Sequence, residues 1–367
     1  MNKNSAPKLS DLLYLLTIPR IGPGRIRRLF QVFHSLDEIL QAPLQNLLRV
    51  EGIEKKLAEQ IKTGGSRAEA DRQLELIQEH GVKTVSLWDE DYPAALKNIP
   101  DPPLILFYRG LLKPEQRRSI AVVGTRSPSN YGKVVTAQLV QELCRENITI
   151  ISGMARGVDA VAHRAALQNG GETLAVLGCG IERCYPPDNR RLYQDIPQQG
   201  AILSEFFIGT GPDAVNFPRR NRVISGLSAG TLVIEAGDRS GALITAYYAL
   251  NHNREVFAVP GNINNPKSNG ANRLLKQGAK LVQSVDDILE EISDLRHGNT
   301  KGQPRPVPEH LSGFEKQVLE QLSGDPIHID RLVQDLQDSP SAILTALLTL
   351  ELSGLVQQLA GKMFVRL

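Results

Sequence analysis

Between residues 120 and 259 the chain repeats one pattern six times. A short apolar run is followed by small or polar residues and then by a stretch of helical character. The runs are 120–124 (IAVVG), 148–152 (ITIIS), 174–178 (LAVLG), 202–204 (ILS), 231–235 (TLVIE) and 256–259 (VFAV). Strands that stay apolar without alternating are buried on both faces. Strand–helix alternation of this kind predicts an α/β domain: an extended Rossmann-like parallel sheet with helices on both faces. Such a sheet holds its ligands in the crevice outside the carboxyl ends of its strands. Composition agrees with a folded chain, since 41% of residues are hydrophobic and 22% charged, which excludes global disorder. No run approaches the ~18 apolar residues of a membrane-spanning helix, and no membrane partner is expected.

The flanks read differently. Residues 1–100 are mainly helical. Within them, residues 18–26 (IPRIGPGRI) form a glycine-containing turn between amphipathic stretches, echoed loosely at 50–61. The pair resembles a helix-hairpin-helix (SAM-like) module. There Gly22, Gly24, Arg25 and Arg28 make a possible secondary contact to a phosphate backbone, because turn amides and a helix N-terminus attract anions. The second copy carries Glu54 in place of a closing glycine. Three prolines at 98–103 (NIPDPP) close this region, and the alternating region is taken as 101–295. Residues 296–308 read as a linker. Residues 309–367 read as three helices (314–322, 330–336, 340–352) and a terminal hairpin turning at Gly361, a winged-helix-like pattern. Charge is distributed unevenly: net +2 overall, while residues 309–367 hold four basic and eight acidic residues. A helix that reads DNA bases needs Arg, Lys, Asn or Gln on its outer face. Residues 339–354 (SPSAILTALLTLELSG) have none. The tail is therefore expected to contact protein or serve structure, not DNA.

The strand ends are rich in Gly, hydroxyl and Arg: Gly124-Thr125-Arg126-Ser127, then Ser152-Gly153-Met154-Ala155-Arg156-Gly157, and Ala236-Gly237-Asp238-Arg239-Ser240-Gly241. Glycines permit close backbone approach, helix-start amides attract anions and arginines add a bidentate grip. The crevice is thus predicted to bind phosphates. It is not a dinucleotide site, because Gly-x-Gly-x-x-Gly is missing after the first strand. Nor is there a Walker A motif, and no cofactor is expected. The densest basic feature is Phe217-Pro218-Arg219-Arg220-Asn221-Arg222. Arginines at a helix start oppose the helix dipole unless an anion is present, so this cluster is assigned to phosphate as well. Asp159 and His163, four apart, read as a capping carboxylate and a hydrogen-bonded histidine. Tyr185-Pro186-Pro187 reads first as a structural turn, whose ring could also meet a base. Three cysteines without a Cys-x-x-Cys pair argue against a disulfide framework or thiolate metal site and fit a reducing cytoplasm.

Taken in order, these motifs resemble those of the DNA-processing protein A (DprA/Smf) family. The resemblance is carried by Asp91-Tyr92-Pro93, Val122-Val123-Gly124-Thr125-Arg126 with Tyr131-Gly132, Ser152 to Asp159 with Ala162-His163, and Gly178-Cys179-Gly180 with Tyr185-Pro186. It continues in Phe217 to Arg222, Glu235-Ala236 with Arg239-Ser240-Gly241, and Val259-Pro260-Gly261. Thr125 and Met154 stand where the family commonly has Ser and Leu. The resemblance implies a non-enzymatic single-stranded DNA-binding protein that forms homodimers, shields incoming DNA in natural transformation and assists RecA loading. The DNA/phosphate residues are then Gly124, Thr125, Arg126, Ser127, Gly153, Arg156, Phe217, Arg219, Arg220, Asn221, Arg222, Arg239, Ser240 and Gly241. The competing reading is a nucleotide phosphoribohydrolase of the lysine-decarboxylase-like family. The turn after Glu235 lacks the glutamate that such an enzyme places near the ribose.

Overall fold

The computed structural model describes residues 6–114, 118–292, 312–322, 327–336, 338–353, 355–359 and 363–366. The expected linker at 296–308 and the hairpin turn at Gly361 lie outside the described residues. The chain divides into two units, Met1–Gly298 and Asn299–Leu367.

Among the described residues of the first unit is a nine-stranded sheet. Its strands are β1 (Lys83–Ser86), β2 (Ile105–Gly110), β3 (Ser119–Val123), β4 (Thr149–Ser152), β5 (Thr173–Val176), β6 (Gly200–Ser204), β7 (Gly230–Val233), β8 (Glu255–Ala258) and β9 (Lys280–Leu281). The order across the sheet is β1-β2-β6-β5-β4-β3-β7-β8-β9. All neighbours from β6 to β9 run parallel, and the β1–β2 pair adds on antiparallel to β6. The six expected runs are β3 to β8. β3 shows why the apolar run had to be continuous. Ile120 and Val122 face one side, with Leu139, Leu143 and Ala162 of the Asn130–Arg145 and Val158–Gln168 helices. Ala121 and Val123 face the other, with Val223, Ile224 and Leu243 of the Asn216–Leu227 and Gly241–Asn251 helices. Successive strand residues point to opposite faces, so a strand covered on both sides must be apolar at every position.

The sheet begins at Lys83, ahead of the proline-rich break. The helices before it, from Leu9–Leu16 to Arg67–Glu79, share one apolar cluster with the β2/β6 edge, where Leu12, Ile26 and Ile61 lie in the same core as Phe107, Ile196 and Ile202. In the second unit the helices Gly313–Gln321, Ile329–Leu336 and Pro340–Leu352 pack on a three-stranded sheet, β10 (Ile327–His328), β12 (Met363–Arg366) and β11 (Val356–Leu359) in spatial order. This is a winged-helix fold. A Ser312/Glu315 capping box starts its first helix, and Leu332, Ile343, Leu347, Leu350 and Phe364 fill its core.

Candidate nucleic-acid interface

β3 pairs with β4 on one side and β7 on the other, with Val123 opposite Val233. The chain winds outward from β3 to β6 and then returns to start β7. The sheet therefore has its topological switch point between β3 and β7, where a crevice must open because the connections leave in opposite directions. A cleft of about 830 Å³ lies at those strand ends. Gly124, Thr125, Arg126, Phe217, Arg220, Asn221, Arg239, Ser240 and Gly241 all line it, so nine residues expected from the sequence meet in one place.

Several are positioned by identifiable contacts. The Thr125 amide donates to the Glu235 carbonyl at 2.7 Å, tying the two strand ends together. Gly157, at φ +80°, leaves room for the Thr125 carbonyl where any side chain would strike it. Ser240 caps the Gly241–Asn251 helix by accepting from the Ala242 amide at 3.3 Å, so the positive end of that helix faces the cleft. Arg126 and Arg239 are exposed and make no ion pair among the described residues. The Arg126 guanidinium lies 5.9 Å from the centre of the Phe217 ring. The Phe217 ring sits 5.6 Å from that of Tyr185. A side chain at position 178 would come within 2.7 Å of the Phe217 ring, which is why Gly178 follows the third predicted strand.

The arginine cluster divides, contrary to a purely anion-binding role. Arg219 is exposed, over the Phe206 ring at 5.5 Å. Arg220 and Arg222 are buried and structural. The Arg220 Nη1 donates to the Gly153 carbonyl at 2.6 Å and to the Val176 carbonyl, closing the ends of β4 and β5. Burial pulls Arg220 down to about 10, opposed by the Asp159 carboxylate, so the guanidinium stays charged at neutral pH. Arg222 is paired with Glu205 and donates to the Asp101 carbonyl at 2.6 Å. The sequence does not show this because the Asn216–Leu227 helix is surrounded on nearly every side, with Arg220 and residues 222–227 all buried, and a helix buried all round has no solvent face for its charges.

Ser127, Gly153, Arg156, Arg219 and Arg222 are not part of the cleft wall. Gly153 is covered by the Arg220 guanidinium, 2.7 Å from where a side chain would begin. Arg156 pairs with Asp188 on the surface. Ser127 contributes its carbonyl, which accepts from Lys267 Nζ at 2.7 Å. Lys267 lines the cleft and was missed by sequence reasoning. Its signal was Pro260-Gly261-Asn262 after the last predicted strand, whose loop runs on to the lysine. Tyr185, read first as a structural turn that could also offer a ring to a base, lines the cleft and is 41% exposed.

Asp159 does not cap its own helix. It is buried and accepts from the Gly153 and Ala155 amides at 3.1 and 3.3 Å, which shapes the loop after β4. His163 is hydrogen-bonded as expected, with Nδ1 2.7 Å from the Thr173 hydroxyl. Burial and the Arg220 charge hold it down to about 3, so it is neutral. In the N-terminal hairpin, Arg25 donates to the Gly52 and Arg20 carbonyls at 2.8 Å each, and Arg28 to the Glu51 carbonyl at 3.2 Å. Both arginines help to join the two hairpin turns. Gly22 lines a separate cavity of about 430 Å³ with Arg219 and Glu205, and Gly24 stands beside it in sequence without lining it.

Comparison with known proteins is consistent along the chain. Residues 83–293 match the family model for the DNA recombination-mediator protein A, residues 302–362 the DprA winged helix domain and residues 12–64 a SAM-like helix-hairpin-helix tandem. Protein Smf of Synechocystis is 34% identical over 380 residues, covering 94% of this chain and 96% of its own. The DNA processing protein DprA of Bacillus subtilis is 42% identical over 224 residues, covering 61% and 75%. The X-ray structure of DprA from Streptococcus pneumoniae superposes with a TM-score of 0.68 at 34% identity, covering 78% of this chain and 98% of that one. DNA processing protein A from Helicobacter pylori, solved for its single-stranded DNA binding mode, gives a TM-score of 0.52 at 31% identity over 58% and 95%. With the sheet, the flanking modules and the crevice motifs all in place, the chain belongs to the DNA recombination-mediator protein A family.

Proposed function

We propose that this chain is a recombination mediator that binds single-stranded DNA through the switch-point cleft. The observation that carries the reading is the convergence of Arg126, Arg239 and Lys267 with a helix N-terminus and the Tyr185–Phe217 ring pair on one cleft. Cations and amides suit the phosphates, and rings suit unpaired bases, whose faces a duplex hides. The Helicobacter pylori relative, solved for its single-stranded DNA binding mode, supports it. Delivery of the strand to RecA by a homodimer in the cytoplasm, during natural transformation, completes the proposal on the strength of the family resemblance. The deciding measurement is a gel-shift titrated with salt. Single strands should bind much more tightly than duplex of equal length, with affinity falling steeply as salt rises. Equal affinity for both forms, or no salt dependence, would refute it.

The proposal includes no turnover. The Glu235 carboxylate is committed to Ser129, accepting its amide at 2.8 Å and its hydroxyl at 2.5 Å. Asp159 is committed to backbone amides. These commitments support the reading without turnover. Incubation with nucleoside monophosphates should release no free base, and ribose 5-phosphate above a mock preparation would favour the hydrolase reading instead.

The tail is assigned no share of the strand. Its Pro340–Leu352 helix exposes Leu344 and Leu348 instead of basic or amide side chains. Removing residues 309–367 should leave single-strand affinity within about threefold, less than ~0.7 kcal/mol. A tenfold loss would give the winged helix a part in binding.

A further inference from the structure

Beside the cleft lies a rim of exposed apolar groups that the backbone grip leaves unused. Tyr131 opens the Asn130–Arg145 helix and is 50% exposed, Val134 on its next turn is 63% exposed, and Ile263 on the loop after β8 is 84% exposed. Two bonds tie together the segments that carry Tyr131 and Ile263. The Tyr131 hydroxyl donates to the Pro260 carbonyl at 3.1 Å, and Lys267 donates to the Ser127 carbonyl. The loop after β3 and the loop after β8 are thereby joined into one edge, and Lys267 belongs both to this edge and to the cleft. Ile263 sits in a turn closed by the Asn265 amide on the Asn262 carbonyl at 2.9 Å, and the Asn264 amide bonds the Asn262 side chain at the same distance. A firmly bonded turn thus presents an isoleucine to water, three residues along the chain from the Pro260 carbonyl that satisfies the tyrosine's polar end, and the tyrosine ring is half open.

We propose that the Tyr131–Ile263 rim is a shelf on which unpaired bases of the strand leaving the cleft stack, and that this shelf contributes to the preference for single strands over duplex. The inference rests on the reading that the cleft grips the backbone. Continuity through Lys267 is what selects the occupant. A strand whose phosphate meets Lys267 carries its next base past the edge that Tyr131 and Ile263 form. Aromatic stacking serves any base, because every base has a π-face. Paired bases keep their faces inside the duplex and gain nothing from the shelf.

The test uses the full chain with three probes: a dT strand, an abasic phosphodiester strand of the same length and a duplex. Tyr131→Ser combined with Ile263→Ser should weaken dT binding about tenfold, the loss expected of one stacked base. Binding of the abasic strand and of duplex should not change. The salt slope should also stay as in the parent, because no charge is removed. Tyr131→Phe keeps the ring but loses the bond to Pro260, and it should bind dT as the parent does. A Tyr131→Phe loss as large as that of the double serine variant would make the tyrosine a loop anchor and overturn the shelf. So would an equal loss on abasic and dT strands. A parent protein that binds no strand in a salt-dependent way would instead refute the cleft itself, an outcome distinct from the other two.

Discussion

Replacing Arg222 with alanine should destabilise the first unit by about 3–5 kcal/mol, the cost of removing one partner from a buried ion pair. Arg222 and Glu205 are 7% and 6% exposed in their side chains. The guanidinium also donates to the Asp101 carbonyl and lies 3.5 Å from the Asp101 carboxylate. Burial pushes the Glu205 carboxyl up, and Arg222 is the largest charge that opposes this. Without Arg222 the carboxylate must either stay charged in an apolar site or take up a proton. In both cases the Asp101 carbonyl loses its donor. For a unit of this size the melting temperature should fall by roughly 10 °C. Arg222→Met with Glu205→Leu should recover most of the loss, because a buried pair replaced by apolar residues of similar volume is often neutral. Single-strand binding by the folded fraction of Arg222→Ala should keep the parental salt slope. A thermally unchanged Arg222→Ala with a shallower slope would mean that the arginine reaches the strand after all.

This contrast shows what the sequence could and could not say. The sheet was legible because six buried strands leave a continuous apolar signature, and the crevice followed from the rule that ligands sit at carboxyl ends. β1, β2 and β9 left little signal. β1 is four residues with only two buried, β2 ends in the half-exposed Tyr108 and Arg109, and β9 is two residues long. The arginine cluster was legible as charge but not as direction. Three arginines within four helix positions point to three different sides, and only packing tells which side is solvent. Here Arg219 faces out, Arg220 reaches under the ends of β4 and β5, and Arg222 reaches Glu205. Partners that lie far along the chain, such as Asp101 for Arg222 and Ser129 for Glu235, follow no local spacing.

The cations that do face the cleft carry the opposite expectation. Arg126, Arg239 and Lys267 are exposed, so removing their side chains should change stability by only about 0.5 kcal/mol each. A combined Arg126→Ala, Arg239→Ala and Lys267→Ala variant should weaken single-strand binding about a thousandfold at moderate salt, since each lost charge-assisted contact is worth at least ~1.5 kcal/mol. The dependence on salt should become shallower at the same time, by about 0.7 in logarithmic slope for each phosphate released. The Lys267 bond to the Ser127 carbonyl does not cancel this, because an ammonium has three donors and the bond uses one. Loss should be equal on poly-dT and on mixed sequence, as a phosphate contact carries no base information. Salt slope and melting temperature measured on the same preparations separate the two classes of arginine: slope moves for Arg126 and Arg239, melting temperature for Arg220 and Arg222. Should the triple variant keep the parental slope while remaining folded, the cleft would not be where the backbone binds. The backbone grip would then fall to Arg219 and the turn at Gly22, which share the neighbouring cavity.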